Sequence, residues 1–123
     1  MNENLKILFV DDEPDFLETT IKRFTRRGFA VQTAANCADA LTIIATGWPQ
    51  VVVLDYMLPD RDGISCLREI KQRYPALVVV FLSGHASISI ALQGIECGAN
   101  DYCLKPIEID ELIEKIKVAY KEK

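Results

Sequence analysis

The chain has 123 residues, half of them hydrophobic and 26% charged, which excludes a disordered chain and leaves room for one hydrophobic core. Lysine and arginine total 14 and aspartate and glutamate 18, for a net charge of −4. That balance argues against a surface that grips nucleic acid directly, or anionic membrane, over its whole extent.

In chain order, Leu5 to Val10 reads as a strand that stops at Asp11-Asp12. Pro14 suits the first turn of the helix that follows. Phe16, Leu17, Thr20, Ile21 and Phe24 form its apolar face, and Gly28 stops it. Ala30 to Ala34 is a more polar strand expected at a sheet edge. Asn36 is the N-cap of a second helix, with Ala38, Leu41, Ile44 and Ala45 as its face. Val51 to Leu54 is a buried strand ending at Asp55. Pro59-Asp60-Arg61-Asp62-Gly63 is loop chemistry, and Ile64, Leu67 and Ile70 open a third helix that Pro75 terminates. Leu77 to Leu82 is a fourth strand, ending at Ser83-Gly84. Ile88, Ala91, Leu92 and Ile95 mark a fourth helix, stopped by Gly98. Tyr102 to Leu104 is a fifth strand before Lys105-Pro106, and Ile109, Leu112, Ile113, Ile116 and Tyr120 mark the last helix.

Five strands alternating with five helices imply right-handed βαβ units. The expected fold is therefore a single α/β domain over 1–123, a doubly wound (βα)5 three-layer sandwich. Its parallel sheet takes the flavodoxin-like order 2-1-3-4-5. The N-terminus lacks a signal peptide's pattern, and the apolar runs are too short to cross a bilayer, so a soluble, cytoplasmic protein with no membrane contact is expected. Cys37, Cys66, Cys97 and Cys103 are widely spaced in apolar patterns, with no CxxC pair. The expectation is four reduced, mostly buried thiols.

Ligands of a doubly wound fold sit beyond the carboxyl ends of its strands. The expected strand order brings Asp11, Asp12, Asp55, Ser83 and Lys105 to that one edge. Three gathered carboxylates repel by about 1 kcal/mol or more per pair even in a watery dielectric, so a cation must offset them. An all-oxygen donor set favours a hard ion, Mg2+, with Mn2+ as its substitute. Such an ion opposite a lysine and a hydroxyl suits a phosphoryl group, with one carboxylate as nucleophile. A flavin-phosphate or Walker loop is excluded, because Asp11-Asp12-Glu13 would repel phosphate where either needs amides facing it.

Together, Asp11-Asp12-Glu13, the turn Asp55-Tyr56-Met57-Leu58-Pro59 with Asp62-Gly63, Ser83-Gly84 and Lys105-Pro106 resemble the receiver domain of the bacterial two-component response regulators, from Leu5 to about Tyr120. The resemblance implies that Asp55 accepts a phosphoryl group from a phosphohistidine on a histidine kinase. Asp12 and Asp55 would ligate Mg2+ directly, Asp11 mainly through water, and Met57 through its backbone carbonyl. Lys105 would pair with the phosphoryl oxygens, before a cis peptide to Pro106. Gly84 would leave space for the phosphodonor. Ser83 and Tyr102 would act as the switch, changing the face of helix 4, strand 5 and helix 5, with Ile88 and Ile90 on it.

That face would serve an output domain or downstream protein, or a homodimer. The basic run Lys22, Arg23, Arg26 and Arg27 reads as a wet helix face, the face that meets the kinase in the family. Met57 and His85 would flank the path of hydrolytic water, and methionine cannot orient that water, so slow dephosphorylation is expected. The chain would not be an enzyme beyond its own phosphorylation and dephosphorylation. The rival readings are a phosphate-independent, receiver-like interaction domain and a metal-dependent phosphatase, the latter disfavoured because Met57 stands where a second acid is needed. Gln50 and Asp60-Arg61 depart from the usual pattern. Residues 83–86 and 98–102 resemble receivers of transcriptional activators that carry an ATPase domain.

Overall fold

The computed structural model of the protein describes residues 5–84 and 88–122. Five strands, β1 (Lys6–Val10), β2 (Ala30–Ala34), β3 (Val51–Asp55), β4 (Val78–Ser83) and β5 (Asp101–Leu104), alternate with five helices. The helices are α1 (Pro14–Arg26), α2 (Cys37–Ala45), α3 (Gly63–Arg73), α4 (Ile88–Glu96) and α5 (Ile109–Lys121). The strands form one parallel sheet in the order β2-β1-β3-β4-β5, as the alternation predicts.

The two-residue pleat of the strands divides the core between the sheet's faces. Ile7, Phe9, Val51, Val53, Val80 and Leu82 meet Phe24 of α1 and Leu112, Ile113 and Ile116 of α5. Leu8, Val10, Val52, Leu54, Val79 and Phe81 meet Ala40 and Ile44 of α2 and Leu67 and Ile70 of α3. The central strands β3 and β4 are buried throughout, and the edge strands β2 and β5 are half-exposed. At the sheet's opposite end from the carboxyl edge, Gln50 ties three elements. Its side-chain oxygen accepts from the Lys6 amide at 2.9 Å, and its amide nitrogen donates to the Tyr120 hydroxyl at 2.9 Å.

Asn36 caps α2 as predicted, accepting from the Asp39 amide at 2.8 Å. The buried face of α2 differs from the predicted one. Cys37, Ala40 and Ile44 are buried, whereas Ala38 and Ala45 face solvent, because the helix is short and only one narrow stripe meets the sheet. At α4 the residues that mark the helix are mostly not its buried ones. Ala91 and Gly94 are its buried residues, whereas Ile88, Leu92 and Ile95 are exposed by 57%, 51% and 39%. The cause is Phe81, whose ring would lie 2.5 Å from a Cβ at residue 94. A helix packed that closely can present only small residues inward.

The four-thiol expectation is also corrected. Cys37 and Cys66 are joined in a disulfide, with Cα atoms 5.9 Å apart, while Cys97 and Cys103 are free. The pairing arises because α2 and α3 pack on the same sheet face, which brings the first residue of one against the first turns of the other. A separation of 29 residues left no spacing signature for it.

Candidate functional site at the carboxyl edge of the sheet

Each strand end contributes one piece of the site. The Asp11 amide donates to the Ala34 carbonyl just past β1, which fixes the turn into α1. Asp55 is the last residue of β3, paired with Leu82. Ser83 ends β4 opposite Leu104, and the Lys105 amide donates to the Ser83 carbonyl at 2.8 Å. The Lys105–Pro106 peptide is cis, as the family resemblance implies. The α3 N-terminus presses against the end of β3, since a Cβ on Gly63 would lie 2.5 Å from the Asp55 carbonyl oxygen. That contact sets the path of the loop between Asp55 and α3.

One oxygen each from Asp11, Asp12 and Asp55 lies within 4.8 Å of the others. Asp11 and Asp55 are buried and Asp12 is exposed. Lys105 reaches into the cluster from the far side, with its amine 2.7 Å from Asp11, 2.8 Å from Glu13 and 3.3 Å from Asp55. Its ammonium also lies 4.5 Å from the centre of the Phe16 ring, a cation–π geometry. Glu13, read in the sequence only as part of the acidic turn, and Phe16, read there as core, are partners of Lys105 that the sequence did not reveal. They lie more than eighty positions from Lys105, and only the strand order brings them together.

The electrostatics follow from that arrangement. Burial, with the Asp11 charge adding to it, raises Asp55 from 3.8 to about 6 against the pull of Lys105. Burial works to lower the Lys105 amine, but its hydrogen bonds to Asp11 and Glu13 and the Asp55 charge outweigh it, holding it above an ordinary lysine.

A cavity of about 490 Å3 opens over the cluster, lined by Asp55, Met57, Gly84, Lys105 and Pro106 among others. Among the described residues, a Cβ on Gly84 would meet nothing within 4 Å, which leaves room beside the cluster. Met57 is 67% exposed at the mouth. Ser83 is buried, and its hydroxyl donates to the Gly84 carbonyl at 3.4 Å. Tyr102 is half-buried, with the Lys115 amine 5.7 Å from its ring centre. Ile90 is half-buried on the same side. His85 lies outside the described residues.

Among the described residues, the donors that Asp11, Asp12 and Asp55 gather are carboxylate oxygens. That donor set fits a hard divalent ion such as Mg2+ and lacks the nitrogen or sulfur that zinc prefers.

A family profile described as the response regulator receiver domain matches residues 7–117. The chain is 35% identical to the regulatory protein AtoC of Escherichia coli (strain K12) over 107 residues, 87% of this chain and 23% of that protein. It is 38% identical to an NtrX-like response regulator of Rickettsia bellii (strain RML369-C) over 117 residues, 94% of this chain and 24% of that protein. The chain thus spans about a quarter of these curated relatives. Among solved structures, the receiver domain of NtrX from Brucella abortus superposes with a TM-score of 0.89 at 36% identity, covering 95% of this chain and 99% of that one. Among the described residues, no helix is long and apolar enough to cross a membrane.

Proposed function

The chain belongs to the response regulator receiver domain family of two-component signalling, and from that premise we propose that Asp55 accepts a phosphoryl group from a phosphohistidine of a histidine kinase. The observation that carries this reading is the placement of Asp55. It is a buried carboxylate at a strand end, raised to about 6, facing an open cavity with a lysine amine 3.3 Å away.

A carboxylate with that pKa is mostly ionised at neutral pH, as a nucleophile must be. An Asp55 oxygen attacks phosphorus, the P–N bond breaks, and the departing imidazole takes a proton from water. Asp11, Asp12, Asp55 and the Met57 carbonyl would hold Mg2+. When bound, the ion offsets negative charge on the phosphoryl oxygens. Lys105 turns from Glu13, its solvent-facing partner, to pair with the same oxygens. Ser83 donates its hydroxyl to the phosphoryl group, and Tyr102 moves inward as Ser83 moves. The two carry the change to the α4–β5–α5 face, where an output domain, a downstream protein or a second copy would read it. The only reactions promoted are the domain's own phosphorylation and dephosphorylation, so it turns over no separate substrate.

Incubation with Mg2+ and acetyl phosphate, followed by intact-mass measurement, tests the assignment. One added phosphoryl group is expected, absent in Asp55→Asn and in excess chelator. No gain in the wild type, or an equal gain in Asp55→Asn, overturns it.

A further inference from the structure

We propose that Cys37 and Cys66 are a reversible dithiol–disulfide pair, exchanging with small-molecule thiols, that sets how firmly the loop after Asp55 is held against α2. The ring closed by their bond contains α2, β3, Asp55 and the whole β3–α3 loop, residues 56–62. Both ends of the ring are fixed by the same short helix contact, and both sulfurs are fully buried there.

The loop is also tied to this point without covalent help. Asp60 accepts from the Cys37 and Ala38 amides at 3.0 Å each, and the Cys37 hydrogen bond leads the causes that hold its carboxyl below the usual range. The bond and the Asp60 clamp therefore act on the same residue, Cys37. With the sulfurs apart, the clamp holds the loop to α2 without the covalent tie, and Met57, three positions from Asp60, moves with it.

Cys103 is not a competing partner. It packs on the opposite sheet face, and burial pushes its thiol up to about 12. In the oxidising direction, one thiolate attacks a sulfur of glutathione disulfide and releases glutathione. The second thiolate then attacks the mixed disulfide and releases another. One S–S bond forms in the protein, one breaks in the oxidant, and the two thiol protons end on two glutathiones. Burial confines this exchange to moments when α2 and α3 separate.

The bond itself stands independently of the phosphoacceptor reading. Its consequence for Asp55 rests on that reading. The test equilibrates the 123-residue chain in a series of glutathione redox buffers, with alkylation, peptide mapping and hydrogen exchange. The expected result is interconversion of the linked and free 37/66 peptides across the series. Amides 56–62 should exchange at least fivefold more slowly in the linked form. A Cys37→Ala/Cys66→Ala variant should exchange like the reduced protein in every buffer. A pair fixed in one state throughout, or equal exchange in both states, overturns the proposal. Redox-dependent exchange alongside failed phosphorylation of both forms would retire the acceptor assignment and leave this one standing.

Discussion

Asp55 carries its charge where burial and a neighbouring carboxylate oppose it, and the effect on folding has a definite sign. Its pKa is 3.8 when unfolded and about 6 when folded, so ionisation costs the folded state about 3 kcal/mol. The stability Asp55 contributes is fully present below pH 3.8 and is lost as pH rises through 6. In metal-free buffer, Asp55→Asn should therefore exceed wild type by roughly 1–3 kcal/mol at pH 8. The two should converge near pH 4 in paired urea titrations. Lys105→Met should move the other way, because it leaves buried Asp11 and Asp55 without a counter-charge. A loss of about 2–4 kcal/mol is expected, partly restored by Mg2+. Met57 is exposed at the cavity mouth and offers no hydrogen bond to water. Met57→Asn should accordingly shorten the lifetime of the phosphorylated form, read as phosphate release over time. At this scale the cluster was legible, because aspartates and a lysine directly after apolar runs become neighbours once the strand order is known. The pairing of Lys105 with Phe16 was not, since the apolar pattern of α1 gave no reason to aim that ring at Lys105.

Among the elements, α2 and α4 depart from their apparent patterns for different reasons. Helix α2 follows the expected Asn36 cap but also borrows Asp60 from a loop 22 and 23 positions away. Its sequence alone gives no sign of that second cap. Asp60→Ala should cost about 1 kcal/mol, as cap removal does, in chemical denaturation. Helix α4 carries apolar residues on more than one face, and periodicity cannot tell which face turns inward. The discriminating signal was Ala91 and Gly94 at a three-residue interval, small enough for close approach to Phe81. The strands needed no such arbitration. Continuous runs such as Val51 to Leu54 have one reading, a strand covered on both sides.

For the molecule as a whole, alternation of strand and helix implied the parallel sheet, and the length of the chain favoured the 2-1-3-4-5 order that it has. The disulfide was the global feature out of reach, because its partners meet only through the packing of two helices. Closing a ring between residues 29 positions apart stabilises a fold by about 3–4 kcal/mol in the chain-entropy account. Reduction should lower the unfolding midpoint accordingly. Mg2+ should raise it by mass action, by about 2.7 kcal/mol at a hundredfold excess over its dissociation constant. That gain should shrink in Asp55→Asn, which removes one of the clustered carboxylates.

The Phe81 ring has a glycine on either side, Gly63 at the loop that leaves Asp55 and Gly94 on α4. Between them the ring fills a slot whose width is fixed by two absent methyl groups. A saturation library should therefore divide these glycines sharply. Gly84, open to the cavity, should accept alanine with its fold intact. Alanine at Gly63 would collide with backbone, and at Gly94 with the ring itself, so both should drop out of the folded pool. The spacing between the site and the helix beside it is thus recorded as two positions in the chain where nothing larger than hydrogen fits.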